Sequence, residues 1–266
     1  MKGCGLVVTF ALGLIAFGFL DVVRPNSSFQ WSFFGTGALL LVWSMALFGL
    51  SQRKGRTLTL KVAFRKQHYV QASAQAVFLL YWGWHWRPVY DSAFLVAAQL
   101  IFAYAFDMLL AWTRRENYAL GFGPFPIIFS TNLFLWFRDD WFYLQFLMIA
   151  VGFLGKEFVR WERHGKRVHI FNPSAFSLGL FSLALIASGT TSLTWGEDIA
   201  TTLTLAPHIY LFLFLIGLVV MYFFSITLIA GSAALVPFSL SALYSTAAGV
   251  PYFVDSDIPT AVFLGL

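Results

Sequence analysis

The most polar stretch of this chain holds the residues best placed to do chemistry. Gly155-Lys156-Glu157 is followed by Arg160, Arg163, His164, Lys166, Arg167 and His169, and then by Phe171-Asn172-Pro173-Ser174-Ala175. An asparagine amide both donates and accepts hydrogen bonds, so Asn172 carries the groups that the pyrimidine edge of a flavin demands. The same residues also spell a helix start. Asn caps the free N–H groups and Pro takes the first helical position, and a helix N-terminus with an exposed amide is itself a polar clamp. Both meanings of Asn172 stand at this point. Lys156, at the end of the preceding apolar run, complements the negative end of a helix dipole.

Asp107 is the second candidate, inside IFAYAFDMLLAWT. A charge within hydrocarbon is expensive and marks either a function or a partner. Asp107 is therefore either a proton or ion site, or one half of a structural pair with Arg114 or Lys156. SGTTSLTW (188–195) is the third. A threonine beside Ser-Gly is a place for a covalent phosphate-linked flavin at Thr191, or equally the polar exit of a helix. The five histidines, His68, His85, His164, His169 and His208, fall near helix ends or in loops. They offer no pair at bundle depth for haem and no spacing for zinc, so no metal is expected. The single cysteine, Cys4, excludes a disulfide framework and reads as a small apolar residue of the first helix. No strand is expected before GFGPF (121–125) and no soluble βαβ unit after it, so it is not read as a dinucleotide loop.

The elements that must position these residues are membrane helices. Of the 266 residues, 59% are hydrophobic and 11% charged, against roughly 25% charged in soluble domains. Apolar runs lie near 4–23, 32–50, 69–86, 92–112, 122–137, 141–160, 173–190, 207–228 and 231–249, and another begins near 258. The spacing predicts an all-α, polytopic transmembrane bundle of about nine or ten helices, a single integral membrane domain over 1–266. The last run is too short to cross a bilayer, so the expectation is that the chain continues. The fifth run is the weakest, being short and holding Pro124 and Pro126.

Charge sets the orientation. With a cytoplasmic N-terminus, 14 of the 17 Lys and Arg fall inside, leaving Arg24, Arg87 and Arg138 outside, while eight of the twelve acids fall outside. This is a positive-inside partition, so the net charge of +5 is a topology signal and no nucleic-acid partner is expected. Aromatic clusters at 81–86 and 136–143 suit headgroup depth.

Residues from about Ser130 to Leu185 resemble the membrane subunit shared by two ion-pumping redox complexes. These are the D subunit of the Rnf ferredoxin:NAD oxidoreductase and the B subunit of the Na⁺-translocating NADH:quinone oxidoreductase. Ser130 and Thr131, then Gly155-Lys156-Glu157, Gly165, and His169-Ile170-Phe171-Asn172-Pro173-Ser174-Ala175 follow the family's order. The family-like core is about 122–190. The resemblance implies a flavin, riboflavin or FMN, held non-covalently within the membrane by Asn172, with His169, Lys156 and Thr131 around it. His169 stands where the family often has a second Asn. The family's long loop bearing covalent FMN is reduced here to the connection from Ser188 to Pro207, and SGTT lacks the family's Ala. The resemblance is thus to a trimmed relative without the covalent platform, and Thr191 is a chance look-alike.

Three functions follow as expectations. The first is a flavin-binding membrane subunit of a redox or electron-transport complex in a bacterial inner membrane, partnered by other redox or membrane subunits and by lipid. The second is a small-solute or ion transporter on the same scaffold, with Asp107 as its buried acid. The third is a structural subunit without any cofactor.

Overall fold

Nearly every apolar run becomes a helix, because a long stretch of Leu, Phe, Ala and Val without internal breakers satisfies its backbone most readily within itself. The computed structural model describes residues 2–54, 58–114, 117–163, 165–204, 207–225 and 227–249. Its helices are α1 (Lys2–Phe17), α2 (Ser27–Lys54), α3 (Lys66–His85), α4 (Pro88–Asp91), α5 (Ala93–Arg114), α6 (Pro124–Asn132), α7 (Tyr143–Phe158), α8 (Pro173–Ser188), α9 (Gly196–Thr204), α10 (Pro207–Phe224) and α11 (Thr227–Ala248). Arg56, Arg115, His164, Asp255, Asp257 and the apolar run beginning near 258 lie outside the described residues.

The expectation of an all-α chain covers the bulk of it and misses two short pairings. β1 (Thr59–Val62) lies parallel to β2 (Asn117–Leu120), with Thr59 opposite Asn117, so a short strand does precede GFGPF (121–125), against the expectation from sequence. β3 (Arg160–Arg163) and β4 (Lys166–His169) form an antiparallel hairpin, with Arg160 opposite His169. Gly165, at φ 71° in the tip of that hairpin, takes a backbone conformation that side chains with a Cβ resist.

The chain divides into two compact units. One joins residues 1–65 with 91–199, and the other joins 66–90 with those from 200 onward. In the first, α1, α2, α5 and α7 enclose a core rich in phenylalanine. Phe29, Phe33, Phe142 and Phe146 are all buried, with ring centroids 5.2 to 5.7 Å apart in edge-on and stacked pairs. Such geometry adds to the burial energy of each ring. In the second unit, α3 packs antiparallel on α10. Phe78 lies 6.2 Å and Tyr81 4.7 Å from the ring of Phe212, and Lys66 sits over Phe223 at the far end.

Among the described residues two helices, Ser27–Arg53 and Ala93–Arg114, are long and apolar enough to cross a membrane. They differ in position. Half of the apolar window of α5 is buried by its neighbours, against 22% for α2, whose Leu39, Val42 and Met45 point outward.

The fifth apolar run departs most from expectation. The pattern predicts a helix over 122–137, but α6 stops at Asn132. After a closing turn at Leu133 and Phe134 the backbone leaves the helix and pairs with a distant segment. Arg138 N donates to Leu193 O at 2.9 Å, Trp195 N donates to Trp136 O at 2.8 Å, and Phe137 bridges Thr194. Apolar content alone does not say helix when a second segment is available to take the hydrogen bonds.

Candidate functional site

The stretch from Gly155 to Ala175 becomes the end of α7, the β3–β4 hairpin and the start of α8. α7 and α8 meet closely because their contact face is made of small residues. A Cβ built on Gly152 would stand 2.9 Å from Pro173 O, and one on Gly155 would stand 2.6 Å from the Phe176 ring. Neither position has room for a side chain, so this end of the pair is held tight.

Four charged side chains gather here. Lys156 Nζ lies 3.6 Å from Asp107 Oδ2, joining α7 to α5. Arg160 donates to Glu157 Oε2 at 2.9 Å and, through Nε, to Lys156 O at 3.0 Å. Asp107 and Glu157 are each only 7% exposed, so each acid is matched by a base at the point where it leaves water. Lys156 also sits over the Phe153 ring, 5.1 Å from its centroid. Of the two partners the sequence offered for Asp107, Lys156 is the one in place.

Asn172 occupies the N-cap of α8. Its Oδ1 accepts from Ser174 N at 3.2 Å and from Ser174 Oγ at 2.9 Å. The amide oxygen is thereby committed to starting the helix. Phe171 stacks on Phe176 at 5.5 Å and 19°, and Phe158, Trp161, Ile170 and Phe171 are about half exposed. His169, at the end of β4, has its imidazole pushed below the ordinary 6.5 by partial burial first, and then by the charges of Lys156 and Arg160. Lys156, His169 and Asn172 thus share one end of the α7–α8 pair. A planar ring laid there would find an aromatic face, an amide and two basic groups on an open surface.

Thr131 does not belong to that group. It is buried on α6, and its hydroxyl donates to Ile127 O at 2.7 Å. Thr191 is exposed in a 3-10 turn just past α8. There Gly189, at φ 66°, ends the helix, and Thr190 N donates to Leu185 O at 2.9 Å. The Ser-Gly-Thr sequence therefore works as a helix stop.

The opposite end of α5 and α7 holds a constellation that weighing charged residues alone had passed over. Gln99 and Asn132 exchange hydrogen bonds in both directions, at 3.1 and 2.8 Å. Gln145 Nε2 donates to Gln99 Oε1 at 3.3 Å, and its own Oε1 accepts from Phe137 N at 3.1 Å. All three amides are at most 2% exposed. Gln99 and Gln145 each stand alone within an apolar run, the same signal that singled out Asp107, and Asn132 closes the polar triplet Ser130-Thr131-Asn132. Together they receive the end of α6 and the extended backbone after it, supplying partners that the broken helix has lost. Beside them lies a cleft of about 40 Å³, lined among others by Gln99, Asn132, Trp136, Asp139, Gln145 and Trp195. It has room for roughly three waters and is far below the roughly 300–1,000 Å³ of drug-sized ligand sites. At the cleft, burial first and then the neighbouring Asp140 raise the Asp139 carboxyl above its ordinary 3.8.

No protein-family model matches the chain, and neither the curated proteins nor the solved structures compared with it match it.

Proposed function

We propose that the chain is a membrane-embedded subunit of a redox or electron-transport complex. In this reading it is a polytopic helix bundle in a bacterial inner membrane, with its N-terminus in the cytoplasm. It holds a flavin, riboflavin or FMN, non-covalently at the end of α7 and α8. One observation carries the reading. Three of the four side chains that the family resemblance marks, Lys156, His169 and Asn172, lie at one end of one helix pair. That end is rimmed by exposed aromatic rings. The charge partition and the outward-facing apolar side chains of α2 support the membrane setting.

A bound flavin would supply the electron-carrying chemistry. The protein's own residues do the rest. Asn172 presents its amide at the ring edge, Lys156 and His169 bias the local charge, and the open face leaves an edge for a neighbouring subunit. Thr131 takes no part, being buried and bonded within α6.

A second reading is favoured by the amide-lined cleft beside the broken α6. Interrupted helices flanked by satisfied polar groups are how transporters admit small solutes or ions. In that case Asp107 or the amide cluster is the working site, and the chain alone moves solute into liposomes.

The deciding sample is the protein purified from its native membrane with its partners. Flavin absorbance bands are expected, and they should vanish in Asn172→Ala and in Asn172→Ser. Serine keeps the helix cap and removes only the amide, so loss of pigment in both variants separates ligand contact from capping. Colourless protein at full yield would end the flavin assignment, leaving a cofactor-free structural subunit or, if liposome uptake is seen, a transporter.

A further inference from the structure

Two histidines that lie 123 positions apart meet in the second compact unit. His85 ends α3 and His208 stands at the start of α10. Their Nε2 atoms are 3.4 Å apart and their ring centroids 4.8 Å apart. Tyr81 holds both, with ring contacts of 5.0 Å to His85 and 5.9 Å to His208. The spacing in sequence gave no sign of a metal site, because the pair exists only once α3 and α10 lie antiparallel.

The separation of the two nitrogens is informative. Two imidazole nitrogens on a tetrahedral ion, with bonds of 2.0–2.1 Å, stand roughly 3.3–3.4 Å apart. Nitrogens on opposite sides of a haem iron would stand roughly 4 Å apart or more, given bonds of similar length. A direct hydrogen bond between nitrogens is best at about 2.9–3.0 Å. The observed 3.4 Å is long for a hydrogen bond and matches two corners of a tetrahedron. Both rings are exposed, which gives an ion a path in. Among the described residues, no group of three or more His, Cys, Asp or Glu is placed to hold a metal, so water would complete the coordination.

We propose that His85 and His208 form a two-histidine site for a divalent transition-metal ion, with Zn²⁺ the natural occupant. Imidazole pairs suit zinc, copper and nickel, and they do not suit the oxygen-seeking Mg²⁺ or Ca²⁺. The ion clips the end of α3 to the start of α10, joining two helices that the chain links only through a long excursion. The two water-bearing positions face outward, open to a ligand atom from a neighbouring subunit.

The test uses the full chain without a polyhistidine tag, in detergent or lipid nanodiscs. Co²⁺ titration should give the visible bands of a tetrahedral ion at one equivalent per chain, displaced by Zn²⁺ and unaffected by Mg²⁺. His85→Ala and His208→Ala should each weaken binding at least tenfold, and the double variant should be no weaker than either alone. A second readout needs no variant. Zn²⁺ should protect His85 and His208 from diethylpyrocarbonate, read by mass spectrometry, and leave His169 as reactive as before. Unchanged cobalt binding in the single variants, or equal modification of all the histidines with and without zinc, overturns the proposal and leaves a packed pair of imidazoles.

Discussion

The two ends of the α5–α7 pair solve the same problem in opposite ways. Both bring polar side chains into an apolar environment. One end does so with charge, through Asp107, Lys156, Glu157 and Arg160. The other does so with neutral amides, through Gln99, Asn132 and Gln145. Long basic side chains at the charged end keep a route to water, because the Lys156 side chain is 27% exposed while that of Asp107 is 9% exposed. The amides carry no long flexible stem and are bonded to one another and to backbone beside the small cleft they line. The charged end is therefore adjustable, and the amide end holds one geometry.

The largest effect should expose the asymmetry within the charged end. Lys156→Met leaves Asp107 without its partner, and breaking a buried pair this way costs about 3–5 kcal/mol. Asp107→Asn should cost clearly less, since Lys156 can swing out to solvent. Unfolding midpoints of the two variants in matched micelles check this, and equal losses would sink the claim that lysine has an escape route.

Next comes the amide end. Asn132→Leu strips Gln99 of both exchanged hydrogen bonds, at about 1–3 kcal/mol per stranded group. The loss should be the same at low and high salt, because no net charge is involved, and Gln99→Leu added to Asn132→Leu should recover part of it. Salt dependence as steep as that of Lys156→Met would erase the contrast between the ends.

The smallest effects are in pH, and they carry opposite signs. His169 binds its proton more weakly when folded, since its value lies below the ordinary one. Its contribution is complete above the unfolded value and is lost as pH falls through the folded one. Asp139 binds its proton more tightly when folded. The penalty of its charge is present at neutral pH and is relieved as pH falls through its raised value. His169→Gln should flatten the loss of stability on mild acidification. Asp139→Asn should raise stability at neutral pH and add nothing once the pH is low enough to protonate the native carboxyl. Thermal midpoints across that range read both, and a change of the same sign in the two variants would contradict the placement of these groups.

Much of the helical frame was legible from hydropathy alone. The run predicted at 69–86 is α3 at Lys66–His85, and that at 92–112 is α5 at Ala93–Arg114. Asn172-Pro173 also read correctly as a helix start. What stayed hidden depends on distant partners. Leu133 to Phe137 look like more helix, yet after a last turn whose amides close on α6, Trp136 O is taken by Trp195 N and Phe137 N by Gln145. Gln99 and Gln145 are each visible as one polar residue in an apolar run and Asn132 as the end of a short polar triplet, but no local pattern says that they face one another. The charged loop at 160–169 is a hairpin because Gly165 can turn it, and composition reported only its charge.

The clasp between residues 136–138 and 193–195 has a consequence for how the protein is made. A continuous helix can close its own backbone as it leaves the ribosome. Trp136 and Arg138 cannot, since the Trp195 amide and the Leu193 carbonyl that complete them belong to a segment synthesised only after α7 and α8. Until that later segment arrives, the Trp136 carbonyl and the Arg138 amide must be met by water, and this stretch takes its final form late in synthesis.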